Sequence, residues 1–324
     1  MTVPTATHAT TLGSSDLTIH PLVLGANIFG WTAEVAASHA VLDAFADGGG
    51  TLVDTADVYS AWAPGHSGGE SEVVIGGWVA RGNRDRLLLG TKVSQHPQFP
   101  GLSAANVRKA LDASLERLRT DHVDLYWAHY DDAETPLEET VAAFDEAVRS
   151  GKARYVGLSN YSAERVDEWL AIAEREGLAK PVALQPHYNL VTREPFESTL
   201  APVAERHGLG ITPYFALASG FLTGKFRTME DVKASARGAL TQRYYSTEGL
   251  AVVDAMAEVA AAHDVTVAAV ALAWLTSRST VAGPIASART TEQLAELMVV
   301  GDLTLADDEL AALDAVSARV PAQG

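Results

Sequence analysis

The sequence predicts an α/β fold, a (β/α)8 TIM barrel, on three observations. Short apolar, β-rich runs alternate with longer amphipathic segments along the 324-residue chain, the pattern of parallel strands joined by helices. There are about eight such units, the number that closes a barrel rather than leaving an open sheet. Side chains with acid–base chemistry stand at or just past the C-terminal ends of several strand-like runs, where a barrel of this kind places its chemistry.

In chain order, TLGSSDLTIHP (11–21) reads as a small β-hairpin ahead of the first barrel strand. The strand-like runs are PLVLG (21–25), TLVDT (51–55), LLLGTK (87–92), VDLYWA (123–128), ARYVGL (153–158), VALQP (182–186), GITPY (210–214) and VAGPI (281–285). Helical patterns fall between them at 34–49, 70–82, 103–119, 136–151, 162–177 and 194–208. Several begin with Ser, Thr or Pro and end in Gly, as capped helices do. Two stretches break the rhythm. Residues 60–69 form a long loop directly after Tyr59, and residues 218–247, rich in Lys, Arg and Tyr, form a longer one after the seventh strand. Loops of such length in a compact domain are commonly functional or disordered; both fall on the expected catalytic face, which favours function. With no linker and no repeat beyond the βα unit, residues 1–324 read as one domain.

Composition narrows the functional classes. Apolar residues make up 47% of the chain, formal net charge is -17 and the sequence pI is about 4.9. That argues against nucleic acid and anionic membrane surfaces, which need a basic footprint. The absence of cysteine excludes disulfides, thiolate zinc sites and cysteine nucleophiles. The N-terminal MTVPTATHATT has no basic-then-apolar pattern of a signal peptide. No apolar run approaches the roughly 20 residues of a membrane span. The expected setting is the cytoplasm.

The candidate chemistry rests on Asp54 and Tyr59 in LVDTADVYS, Lys92 closing LLLGTK and His129 closing VDLYWAH. Singly, each has an ordinary structural reading as a cap, an ion-pair partner or a surface polar group. Jointly, across three successive strand ends, they form a device for protonating a carbonyl oxygen. A phenol titrates near pH 10 in water, too high for an efficient acid at neutral pH. A nearby lysine is expected to lower it, with the aspartate holding that lysine charged and in place. The imidazole can orient the substrate oxygen.

The chain resembles the aldo-keto reductase family over nearly its whole length. The segments that carry the resemblance are LVDTADVYS, LLLGTKVS, VDLYWAHYDDAETPLEETVAAF, GKARYVGLSNYS, LQPHYNL, TPYFALASGFLTGK and PIASARTTEQL, in that order. The last two point to the branch that holds bacterial reductases and potassium-channel β subunits. The resemblance implies a (β/α)8 barrel and reversible hydride transfer from NADPH to an aldehyde or ketone, with no metal and no covalent intermediate. Tyr59 is then the proton donor, tuned by Lys92 and Asp54, and His129 positions the carbonyl.

The same resemblance implies a cofactor site. Ser159, Asn160 and Gln185 hold the nicotinamide carboxamide, whose donors and acceptor suit amide and hydroxyl partners. Tyr214 stacks on the nicotinamide ring. Phe215, Ala216, Leu217, Ala218 and Gly220 lead to Lys225 around the pyrophosphate, with backbone N–H groups and the ammonium opposing its charge. Gly25, Asn27 and Ile28 at the end of the first strand, with Asp54, Ile285 and Ala286, are further expected cofactor contacts. Ser287 and Arg289 meet the 2′-phosphate of NADP, since a guanidinium can hold phosphate bidentately, and Gln293 reaches the adenosine. SN after a strand is also an ordinary helix N-cap, and Arg289 has a solvated reading. Three positions depart from the family. Leu297 stands where relatives often have asparagine, Ser287 where many have glycine, and Asp57 where many have glutamate.

Trp31, Trp62 and Tyr130, with Tyr59 and His129, are the candidate walls of the substrate pocket. They suit many carbonyl compounds, a keto-sugar or a natural product among them. His66, His96 and His187 lie near the same face without an assigned role. Two further readings stand beside the reductase. One is an NADPH-binding regulatory subunit of a partner protein with slow or vestigial turnover, told apart by rate. The other is an unrelated barrel enzyme such as a sugar isomerase, told apart by lack of cofactor binding. Substrate, reaction direction and oligomeric state are open at this level.

Overall fold

A computed structural model describes residues 9–235 and 238–322. β1 (Thr10–Thr11) and β2 (Thr18–Ile19) pair antiparallel as the expected hairpin. The chain then runs β3 (Val23–Gly25), α1 (Val35–Asp47), β4 (Leu52–Asp54), α2 (Glu70–Trp78) and β5 (Leu88–Val93). A second hairpin follows, β6 (Gln95–His96) with β7 (Phe99–Pro100), then α3 (Ala104–Leu118), β8 (Val123–Ala128), α4 (Leu137–Arg149), β9 (Ala153–Ser159) and α5 (Ala163–Glu176). The last third holds β10 (Pro181–Gln185), α6 (Leu200–His207), β11 (Gly210–Ile211), α7 (Met229–Ala234), α8 (Gly238–Thr241), α9 (Thr247–His263), α10 (Val267–Thr276), β12 (Ile285–Ala286), α11 (Thr291–Met298) and α12 (Asp307–Ser317).

Eight strands form one parallel sheet in the order β11-β10-β9-β8-β5-β4-β3-β12. A parallel bridge between Ile211 and Val281 joins the two edges. The Ile211 N–H donates to Thr280 O at 2.8 Å and the Ile285 N–H to Pro213 O at 2.9 Å. The sheet therefore curls on itself as the sequence predicts, and all of its strands end on one face.

Inside the barrel, Leu12, Leu17 and Ile19 of the hairpin pack with Val23, Leu52, Leu125, Trp127 and Val182. Trp127 dominates that interior, and Gly157 on the next strand makes room for it. A Cβ at Gly157 would come within 2.2 Å of the indole. Outside, the helices bury their apolar faces against the strands. α10, VAAVALAWLT, is buried along most of its length, from Ala268 to Leu275.

Several element boundaries differ from those predicted: β11 stops at Ile211 rather than 214, and β12 lies at Ile285–Ala286 rather than 281–285. α2 stops at Trp78 rather than running to 82, and a wide turn at Val79–Asn83 follows. Residues 194–199 turn instead of opening α6, because Glu197 is held by Tyr188 Oη at 2.7 Å and Arg193 Nε at 2.8 Å. The 218–247 stretch carries 3-10 turns and the short helices α7 and α8 rather than an open loop. Thr228 and Asp231 close a capping box at the start of α7. No single helix among the described residues is long and apolar enough to cross a membrane.

Candidate active site

The strand ends bring three of the four chemical residues together, and the turn after β4 adds the fourth. Asp54 is the last residue of β4, in register with Gly90 of β5, and Lys92 lies two positions further along β5. His129 follows β8, its N–H donating to Val93 O at 3.0 Å. Lys92 is fully buried. Its ammonium has three donors and meets three acceptors: Asp54 Oδ2 at 2.6 Å, Thr55 O at 2.7 Å and Tyr59 Oη at 2.9 Å. Gln185 Nε2 donates to Asp54 Oδ1 at 3.1 Å, so both carboxylate oxygens are engaged. The Tyr59 hydroxyl is 3.4 Å from Asp54 Oδ2. The His129 ring lies edge-on to Tyr59, centroids 6.3 Å apart.

The electrostatics overturn one expectation. Burial, and next the Asp54 charge, push the Tyr59 phenol well above the ordinary tyrosine range. The shift runs against the lowering expected from Lys92, because desolvation disfavours the phenolate and Asp54 adds to it. The phenol is thus held protonated with an ammonium already at its oxygen. Burial pulls Lys92 down from its ordinary value, against the attraction of Asp54. His129 is held well below the usual histidine value by burial and then by Lys92. It is therefore a neutral imidazole near pH 7. Its Nδ1 is buried without a hydrogen-bond partner among the described residues.

The residues expected around a nicotinamide form one hydrogen-bonded group beside this cluster. Ser159 Oγ donates to Gln185 O at 3.0 Å. Asn160 takes a left-handed backbone, φ 57, and its amide is fixed at both ends. Nδ2 donates to His129 O at 2.9 Å, and Oδ1 accepts from Tyr214 Oη at 2.7 Å. Phe215, Ala218, Ser219 and Gly220 all have positive φ, and the Ala218 and Gly220 N–H groups close tight turns on Phe215 O at 2.7 Å and Leu217 O at 2.8 Å. Lys225 Nζ lies 3.5 Å from where a Cβ at Gly220 would stand, so the ammonium closes over that turn. These features fit a dinucleotide pyrophosphate. The side chains of Ala216 and Ala218 are buried and Leu217 is half-buried.

Across the seam between β3 and β12, Gly25 lies beside Ile285 and Ala286. Ser287 Oγ donates to Asn27 Oδ1 at 2.8 Å, spanning the place where relatives often have glycine. Ile28 turns its side chain into the core. Arg289 is exposed, its guanidinium without a partner among the described residues. Its backbone N–H donates to Gln293 Oε1 at 3.0 Å, which ties Gln293 to the loop. Leu297 is buried in the core face of α11, which accounts for an apolar residue at that position.

The expected pocket walls do gather. Trp62 packs edge-on to Trp31 at 5.6 Å and to Tyr59 at 6.0 Å, and Tyr130 lies 5.1 Å from His129. Trp62 and Tyr130 remain 50% and 42% exposed, unusual for such side chains and open to a ligand. Sequence reasoning missed two partners of the cluster. The Thr55 carbonyl leaves no side-chain signal. Gln185 closes a strand as the other cluster residues do, which was the available signal for its bond to Asp54.

Residues 21–318 match the Aldo/keto reductase family. The chain is 34% identical over 308 residues to a probable voltage-gated potassium channel subunit beta of Oryza sativa subsp. japonica, covering 90% of each chain. It is 33% identical over 332 residues to Protein tas of Escherichia coli, covering 93% of this chain and 95% of that one. It is 29% identical over 340 residues to norsolorinic acid reductase of Aspergillus flavus, covering 97% and 84%. With the barrel and the strand-end cluster in place, these matches make the chain a member of the aldo/keto reductase family and an oxidoreductase.

Proposed function

We propose that the protein reduces an aldehyde or ketone to the alcohol with NADPH, Tyr59 donating the proton. The observation that carries this reading is the contact of the Tyr59 hydroxyl with the buried Lys92 ammonium at 2.9 Å, with Asp54 on the same ammonium at 2.6 Å. A reduced nicotinamide, when bound, would supply the hydride that the carbonyl carbon takes up. Tyr59 gives its proton to the oxygen as charge builds there, a contribution of roughly 10²–10⁴-fold. Lys92 stabilises the phenolate left behind, and Asp54, held in turn by Gln185, fixes the lysine. His129, neutral, donates a hydrogen bond to the carbonyl oxygen and so orients it.

Ser159, Asn160 and Gln185 would hold the carboxamide, Tyr214 the ring, residues 215–225 the pyrophosphate and Arg289 the 2′-phosphate. Trp31, Trp62 and Tyr130 would wall a carbonyl substrate such as a keto-sugar or an aromatic natural product. We read residues 1–324 as one catalytic unit acting in the cytoplasm. A panel of aromatic aldehydes, diketones and keto-sugars, followed by NADPH absorbance, tests the reading; no turnover with any member counts against it. The likeness to proteins named as potassium channel β subunits favours a second reading, a cofactor-binding subunit of a partner protein. NADPH binding with very slow reduction across the panel would support that one.

A further inference from the structure

His187 stands just past β10, and a parallel bridge pairs it with Tyr214 past β11. Paired positions on neighbouring strands put their side chains on the same face of the sheet, about one strand spacing apart. The two rings accordingly stack, centroids 5.4 Å apart at an interplanar angle of 19°. Phe215 and Tyr244 meet the imidazole edge-on at 5.4 Å and 6.0 Å. Tyr244 Oη shares a hydrogen bond with His187 Nε2 at 2.9 Å, and Arg243 Nη2 donates to Tyr244 Oη at 2.6 Å. The Arg243 guanidinium also lies over the rings of Phe215 and Tyr244, at 5.0 Å and 4.7 Å. Asn189 Nδ2 donates to Phe215 O at 2.9 Å, pinning the left-handed residue next to Tyr214.

We propose that His187 is a positioning residue for the nicotinamide platform, backing one face of Tyr214 so that the other face receives the cofactor ring. Arg243 and Tyr244 hold His187 in that place, so residues 242–244, beyond the stretch 215–225 read as wrapping the pyrophosphate, also set the platform. The inference rests on the NADPH reading above. Tyr214 is fixed at its hydroxyl by Asn160 and on its face by His187. Removing the imidazole leaves the ring held by that hydrogen bond and by the edge of Phe215 at 5.2 Å, with its face unsupported. Burial, and secondarily Arg243, lower the His187 value to about 4, so a neutral ring backs the platform at pH 7.

The test uses two probes, NADPH and adenosine 2′,5′-bisphosphate, which carries the 2′-phosphate without the nicotinamide. Affinities are measured for the full chain, for His187→Ala, for His187→Phe and for Tyr244→Phe. His187→Ala should weaken NADPH by about 3- to 10-fold, the scale of one lost aromatic pair, and leave the bisphosphate within about twofold. His187→Phe keeps a ring on Tyr214 and should recover most of the loss. Tyr244→Phe should weaken NADPH alone, by a smaller factor. The fluorescence of bound NADPH should change in His187→Ala and return in His187→Phe. Equal losses for both probes, or none, with a wild type that binds NADPH, overturn this inference alone. A wild type that binds no NADPH overturns the cofactor reading and this inference with it.

Discussion

Lys92 and Asp54 form a fully buried ion pair, Nζ to Oδ2 at 2.6 Å, with no more than 4% of either side chain exposed. Buried pairs of this kind contribute little net stability, yet breaking one by removing a partner strands a charge. The pair is kept here because the same ammonium reaches Tyr59.

Lys92→Met should therefore lower stability by about 3–5 kcal/mol, since Asp54 is left charged and buried. The double change Lys92→Met with Asp54→Asn should recover much of that loss, a coupling read from a double-mutant cycle in urea. Any alkaline limb of the rate profile owed to Tyr59 should move to still higher pH once the ammonium is gone. Additive losses in the cycle would mean that the two residues do not act as a pair.

Stability should fall as the solution is acidified through the histidine range. Burial lowers His20 and His187 to about 4 and holds His129 well below 6.5. Below pH 6.5 the unfolded chain takes up protons that these groups refuse in the fold, so stability is full above 6.5 and drains toward pH 4. Asp57 opposes, because burial and Glu72 raise its value well above that of a free aspartate. His20 and His187 alone should cost on the order of 3–4 kcal/mol between pH 7.5 and pH 5, and His96, also lowered by burial, acts in the same direction. Denaturant midpoints at the two pH values check this; equal midpoints would contradict it.

The barrel is readable in the sequence because its strands are short apolar runs and their number sets closure. The cluster is readable because Asp54, Lys92 and His129 each end such a run. What is not readable depends on contacts made only after folding. α2 ends early where it crowds the next helix: a Cβ at Gly76 would come within 1.9 Å of the Arg117 carbonyl. The upward shift of Tyr59 follows from how deeply the assembled site buries it, a quantity no local pattern carries. His187 acquires its stack from pairing with a residue far along the chain, and its neighbours Arg243 and Tyr244 come from a segment without periodic signal.

Arg289 should decide between the two nicotinamide cofactors. The chain's net charge of -17 repels the extra phosphate of NADPH at long range, so attraction has to be local. One charge-assisted bond is worth about 1.5–3 kcal/mol, or roughly ten- to a hundredfold in affinity. Arg289→Ala should weaken NADPH by that factor and leave NADH nearly unchanged. Titrating both cofactors against wild type and variant checks it; equal losses would make Arg289 a surface residue and place recognition of the 2′-phosphate elsewhere.

The central claim is that Tyr59 delivers the proton, and Tyr59→Phe tests it most directly because it removes the hydroxyl and little volume. The measurement is the steady-state rate of NADPH consumption with a carbonyl that the wild type reduces, alongside a cofactor titration. Turnover should fall by roughly 10²-fold or more while NADPH affinity stays within about twofold. A variant that turns over at the wild-type rate would show that the proton comes from another group.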